Sequence, residues 1–222
     1  MTTRLYLVRH GATELSSEDR FAGAVDVLLS DVGREQARKL GHRLAAEPLA
    51  AIYASPMKRT LETARLAGNG RNLEVTPVDG LREIAHGRWE GKTRAEVEVA
   101  FPEEYSRYEH DPYTFAPKGG ESGLAVVARA LPALLALVER HDDERILVVS
   151  HKATIRLLLS AVLGFDPRKY RDRLDQSPAA LNILDFKNVT HARLTLFNDT
   201  SHYMSGVPEV PSQRLSKVWD VK

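Results

Sequence analysis

The chain contains no cysteine. Without thiols there is no disulfide framework and no thiolate metal site, as expected for a cytoplasmic protein. An excess of charge is missing as well: 31 Lys+Arg against 30 Asp+Glu leave a net +1. No global field therefore favours nucleic acid or an acidic membrane surface. Long apolar runs are absent. The longest core-like stretch, Leu131 to Val138, falls far short of the ~20 residues that span a bilayer. No apolar signal region precedes the first strand pattern, and no repeat or low-complexity segment interrupts the chain. What is present is 222 residues of which 43% are hydrophobic. That is enough for one large core, and residues 1–222 are read as a single domain.

Apolar periodicity orders this chain as alternating strands and helices. Leu5 to Val8 is a short apolar run ending at Gly11 and predicts a buried strand. Ser30 is the expected N-cap of a helix running to about Glu47, before Pro48. Leu49 to Ala54 predicts a second strand. Ser55-Pro56 reads as the cap and first position of the next helix, with Met57, Leu61 and Ala64 as its core stripe. Leu73 to Val78 predicts a third strand. Thr93 and Glu96 have capping-box spacing. Residues 101–120 hold three prolines, three tyrosines and Gly119-Gly120, and read as irregular; a lid-like segment is expected over about 85–120. Glu121 to Arg140 predicts a long helix kinked at Pro132. Arg145 to Ser150 is the clearest strand, and Ala153 to Leu163 an apolar helix. Leu181 to Phe186 and Ala192 to Phe197 predict late strands joined by a turn at Asn188 to His191. A polar tail follows over about 204–222. The alternation implies a three-layer α/β fold with a mostly parallel central sheet flanked by helices.

Two strands of this pattern end in histidine. The first delivers Arg9 and His10 into a loop loosened by Gly11, the place where an open α/β sheet puts its ligand. His is a nucleophile or proton carrier near neutral pH, and Arg is a planar donor suited to an oxyanion. The second strand ends at His151, where a helix starts. In a parallel sheet both ends share one edge, which predicts that His10 and His151 meet in space. Arg59 points away from the Met57, Leu61, Ala64 stripe. On spacing alone it is either a solvated arginine or a ligand to an anion.

Four segments, in order, resemble the histidine phosphatase superfamily, the group of cofactor-dependent phosphoglycerate mutases and many phosphatases. They are Arg9-His10-Gly11-Ala12-Thr13, Ser55 to Ala64, Leu81-Arg82-Glu83-Ile84 with Gly87-Arg88-Trp89-Glu90-Gly91, and Val149-Ser150-His151. Gly119-Gly120-Glu121-Ser122 and Asn198 to His202 also look familiar. The likeness spans about residues 4–203. It implies a phosphoglycerate mutase-like fold and assigns roles residue by residue. His10 is implied as the nucleophile that becomes phosphohistidine. Arg9, Arg59 and His151 are implied as binders of the phosphoryl oxygens, with Thr13 beside them. Glu83 is implied as proton donor to the leaving oxygen and later the base for water. No cofactor and no metal are expected, because three cationic groups already cover the phosphate.

Two positions depart from the family pattern. Ser16 stands where many relatives have Asn and is a shorter phosphate donor. Lys152 follows the second histidine where relatives often have Gly. It is either a second anion contact or a solvated lysine at a helix start. Trp89 reads as packing, and His86, His110 and His202 as surface or structural residues. The function implied is a phosphomonoester hydrolase of the phosphatase branch acting on a small phosphorylated metabolite. The segment Ala85 to Gly91 favours it over the runner-up, a phosphoglycerate mutase. A phosphate-binding module without turnover is the reading of another class. Neither nucleic acid nor membrane is an expected partner, and the oligomeric state is left open, a homodimer being one option.

Overall fold

The computed structural model describes residues 2–14, 20–68 and 70–206. Ser16 and residues 207–222 of the expected tail lie outside them. The six strands are β1 (Thr3–Arg9), β2 (Ala51–Ala54), β3 (Val75–Pro77), β4 (Arg145–Ser150), β5 (Leu181–Asn188) and β6 (His191–Asp199). They form one sheet in the order β3-β2-β4-β1-β5-β6. β1 to β4 run parallel, β5 lies antiparallel against β1, and β6 antiparallel against β5. β5 alone therefore runs against the other strands, and the mostly parallel sheet predicted from the alternation is present.

β1 and β4 are buried on both faces, as central strands covered by helices must be. Their side chains alternate between two cores. Leu5, Leu7, Ile146 and Val148 meet α5 (Gly123–Arg140) and α6 (Lys152–Leu163) on one face. Tyr6, Val8, Leu147 and Val149 meet α1 (Asp31–Arg43) and α2 (Lys58–Gly68) on the other. The register sets Arg9 opposite Ser150. The residues that follow, His10 and His151, thus leave the sheet side by side.

Local signals account for several helix ends. Ser30 accepts the Gly33 N–H at 3.2 Å at the start of α1, Ser122 caps α5, and the Thr93–Glu96 capping box opens α3 (Arg94–Ala100). α1 stops at Arg43, short of the predicted Glu47, in a turn that precedes Pro48. α6 ends at Gly164, whose φ of 72° is the left-handed conformation glycine supplies.

Three expectations are corrected. Residues 101–120 are not irregular throughout: α4 (Pro102–His110) occupies the first half. Pro102 sits at the first helical position, where its missing N–H costs nothing, and Tyr105 and Tyr108 share the buried face. A short helix, α7 (Tyr170–Arg173), follows a 3₁₀ turn at Pro167–Lys169 where none was foreseen. α2 begins at Lys58, so Ser55 is not its N-cap. The segment around α3 and α4 has its own core of Phe21, Trp89, Val97, Tyr105, Tyr108 and Phe115. Each large aromatic buried there contributes roughly 5 kcal/mol of transfer free energy. Trp89 is fully buried in it, as a packing residue should be. No described helix is long and apolar enough to cross a membrane.

Candidate active site

The site grows from the end of β1. The His10 N–H donates to the Ser150 carbonyl at 3.0 Å, which carries the sheet pairing one residue past the strands. The imidazole is buried, and its Nδ1–H donates to the Gly11 carbonyl at 2.8 Å. A carbonyl only accepts, so Nδ1 carries the proton and the Nε2 lone pair is left open. Burial first, then the charges of Arg59 and Arg9, hold the His10 pKa well below its usual value. The ring is neutral at pH 7, as a nitrogen nucleophile requires.

The loop beneath His10 is fixed by close backbone contact. A Cβ on Gly11 would lie 2.4 Å from the Gly33 carbonyl oxygen in the first turn of α1. The Gly11 N–H donates to Thr63 Oγ1 on α2 at 3.1 Å, and the Ala12 N–H to Gln36 Oε1 at 3.0 Å. Thr13 is buried within the same loop.

Cationic groups converge on this imidazole. Arg9 is buried, with Nη1 donating to the Gln176 carbonyl at 2.7 Å. Its Nε is buried without a partner. Burial lowers its pKa to about 10, against the opposing pull of Glu83, and it stays charged at neutral pH. Arg59 is 1% exposed, so it faces the protein interior and is not a solvated helix arginine. Its Nη1 and Nη2 donate to the Val25 and Gly23 carbonyls at 2.7 and 3.0 Å, and its Nε to His151 Nδ1 at 3.3 Å.

His151 lies with its ring centroid 5.2 Å from that of His10, edge to face. Because Nδ1 accepts from Arg59, Nε2 carries the proton and donates to Ser55 Oγ at 2.8 Å. Burial, reinforced by Arg59, keeps this ring neutral too. Ser55 was expected as a helix cap. Its partner lies 96 residues away, so no local signal could reveal it.

Glu83 enters from the loop after the 3₁₀ turn Asp79–Leu81. Its carboxylate accepts the Ala153 and Thr154 N–H groups at 3.2 Å; the Thr154 hydroxyl lies 3.1 Å from it while donating to the Arg82 carbonyl. Glu83 therefore caps the start of α6 and takes up its Ala153 and Thr154 N–H groups. Thr154 is a site contact that sequence reasoning missed. A cavity of about 440 Å³ opens beside Glu83, lined by Asp26, Met57, Arg82 and Glu121 among others. Lys152 is half-buried at the first position of α6 and does not line it. His86 is buried against Phe21, with ring centroids 4.8 Å apart. Among the described residues no three His, Cys, Asp or Glu side chains are grouped to hold a metal ion.

Such a site can hold an oxyanion between guanidiniums and present a neutral nitrogen to it. The sequence model of the histidine phosphatase superfamily (branch 1) matches residues 5–200. Phosphoserine phosphatase 1 of Hydrogenobacter thermophilus is 38% identical over 75% of this chain and 79% of that protein. A glucosyl-3-phosphoglycerate phosphatase of Mycolicibacterium vanbaalenii is 36% identical over 72% of this chain and 74% of its own length. Among solved structures, Bacillus stearothermophilus YhfR superposes with a TM-score of 0.85 at 35% identity, over 90% of this chain and 98% of that one.

Proposed function

The chain belongs to the histidine phosphatase superfamily and is a phosphatase of small phosphorylated metabolites; on that footing we propose that it works through a phosphohistidine at His10. The observation that carries this reading is the open Nε2 of a neutral His10, set beside Arg9, Arg59 and His151. Nε2 attacks phosphorus, and the bond from phosphorus to the leaving alkoxide breaks. Glu83 gives that oxygen its proton. Water then attacks the phosphohistidine while Glu83 takes a proton from it; the P–N bond breaks, phosphate leaves, and the Nε2 lone pair returns. Phosphoryl transfer has a loose transition state with charge spread over the equatorial oxygens. Fixed guanidiniums stabilise that charge without reorganising. Arg59 has spent three of its five N–H groups on Gly23, Val25 and His151. The other two are available to a phosphoryl oxygen while it keeps its hold on the loop.

The leaving group fits the cavity beside Glu83. The wall mixes Asp26, Arg82 and Glu121 with Met57, which suits a polar metabolite of modest size. Arg82, in the cavity wall, is the cation for a second acidic group of the substrate, and Thr13, buried in the His10 loop, is a neutral donor.

The test is a Glu83→Gln variant given an alkyl phosphate. Acid-labile phosphate should accumulate on His10, and His10→Ala should show neither label nor turnover. Free phosphate should be released from 3-phosphoglycerate faster than any 2-phosphoglycerate appears, without priming by a bisphosphate. Full turnover in His10→Ala would overturn the nucleophile assignment. Primed isomerisation that outruns hydrolysis would replace the hydrolase with a mutase.

A further inference from the structure

Apart from Glu121 in the cavity wall, the Gly119-Gly120-Glu121-Ser122 segment has no part in the chemistry above, and neither has Arg129 on α5. Together they grip the backbone that carries Glu83. A guanidinium has five N–H groups, and all five of Arg129 are used. Nη1 donates to the Gly80 and Arg82 carbonyls at 2.8 and 2.9 Å, and Nη2 to the Glu83 carbonyl at 3.1 Å. Nε and Nη2 donate to the two carboxylate oxygens of Glu121, each at 2.9 Å. Glu121 continues the clamp beyond Glu83: its Oε2 accepts the Ala85 N–H at 3.0 Å, and its own N–H donates to the Ala85 carbonyl at 2.8 Å. The Arg129 side chain is 19% exposed and that of Glu121 26%, so the pair is partly sheltered from water.

Glycines make this approach possible. A Cβ on Gly80 would lie 2.8 Å from the Arg129 carbonyl oxygen, and one on Gly120 2.6 Å from the Ala85 oxygen. From the opposite side, the Thr154 hydroxyl donates to the Arg82 carbonyl at 2.7 Å. The backbone of Glu83 is thus held between α5 and α6, and its carboxylate rests on the start of α6. A glutamate has flexible χ angles. Fixing its backbone from both sides limits where the proton it transfers can be delivered.

We propose that Arg129, with Glu121 as its partner, is a positioning residue that sets Glu83 for proton delivery to the leaving oxygen. The inference rests on the reading of Glu83 as proton donor. Neither residue touches the phosphoryl group, so phosphate binding is left to Arg9, Arg59 and His151. Lysine cannot replace the fork: an ammonium has three N–H groups for five acceptors and no planar face for the carboxylate.

The experiment compares two substrates in Arg129→Met, Arg129→Lys, Glu121→Gln and Glu83→Gln. An alkyl phosphate needs its leaving oxygen protonated, whereas p-nitrophenyl phosphate releases a stabilised phenolate. In Arg129→Met, kcat on the alkyl ester should fall about 100-fold, the loss typical of a misplaced catalytic group. The fall on the nitrophenyl ester should be less than about tenfold on the same grounds. The inhibition constant of inorganic phosphate should stay within about threefold, because its ligands are unchanged. Arg129→Lys should show a smaller skew of the same sign. Glu121→Gln keeps an acceptor for Ala85 but weakens the ion pair; it should skew likewise, and it carries the test if Arg129→Met fails to fold. Equal losses on both esters in the folded Arg129 and Glu121 variants, beside a clear skew in Glu83→Gln, would overturn the positioning role. No skew in Glu83→Gln itself would overturn the proton-donor reading, and the proposal with it.

Discussion

Acid should destabilise this protein through histidines that the fold keeps neutral, and His86 isolates one of them. It is buried against Phe21 and Tyr108, and burial pushes its pKa from 6.5 down to about 4. The unfolded chain protonates this ring below its ordinary pKa of 6.5 while the folded protein does not. Unfolding then takes up a proton, so stability falls as pH falls. The full difference between 6.5 and about 4 corresponds to about 3 kcal/mol, reached only below the folded value. At about pH 5 roughly 2 kcal/mol of it is already lost. His10 and His151 add to the same trend, so the measurement has to be a difference. Urea unfolding of the native chain and of His86→Leu, followed by tryptophan fluorescence from about pH 7.5 to about pH 5, supplies it. The native chain should lose up to about 1.4 kcal/mol more per pH unit than the variant below pH ~6. Parallel pH dependences would mean that His86 titrates normally in the folded state and that the burial argument fails.

Further outcomes follow from the same contacts. Gly33→Ala raises helix propensity by about 1 kcal/mol, yet the new Cβ would sit 2.0 Å from the Ala12 carbonyl oxygen. Overpacking against backbone should win, with a net loss of about 1–3 kcal/mol and reduced turnover because the His10 loop must move; an unchanged melting temperature and kcat/KM would refute the contact. Ser55→Ala removes the acceptor of the His151 Nε2–H and leaves a buried donor without a partner. It should cost about 1–3 kcal/mol in stability and lower kcat/KM, as thermal melts and steady-state kinetics would record; wild-type values in both would show that water replaces the hydroxyl.

Much of the frame was legible because its causes are local. Alternating apolar strands and amphipathic helices mark the α/β layers, and side chains at Ser30, Ser122 and Thr93 open helices within three residues of themselves. Each of the two central strands ends in histidine, and parallel pairing of β1 with β4 needs only those strands to set His10 beside His151. Arg9, His10 and His151 could therefore be read at strand ends, whereas Glu83 was named only through the family resemblance of its segment.

What the sequence left open depends on partners far along the chain. Whether Arg59 meets water or the interior is decided by Gly23, Val25 and His151, the last 92 residues away. Ser55 looked like a cap because caps are local; its hydroxyl serves His151 instead. α4 was hidden because prolines and tyrosines suggest a loop until Trp89 and Phe21 supply a core for Tyr105 and Tyr108. Glu83 reaches the start of α6 from 70 residues away, a contact that only the tertiary fold makes. Chemical identity is carried by each residue, but protonation state, hydrogen-bond direction and burial belong to pairs, and only the closed fold selects the pairs.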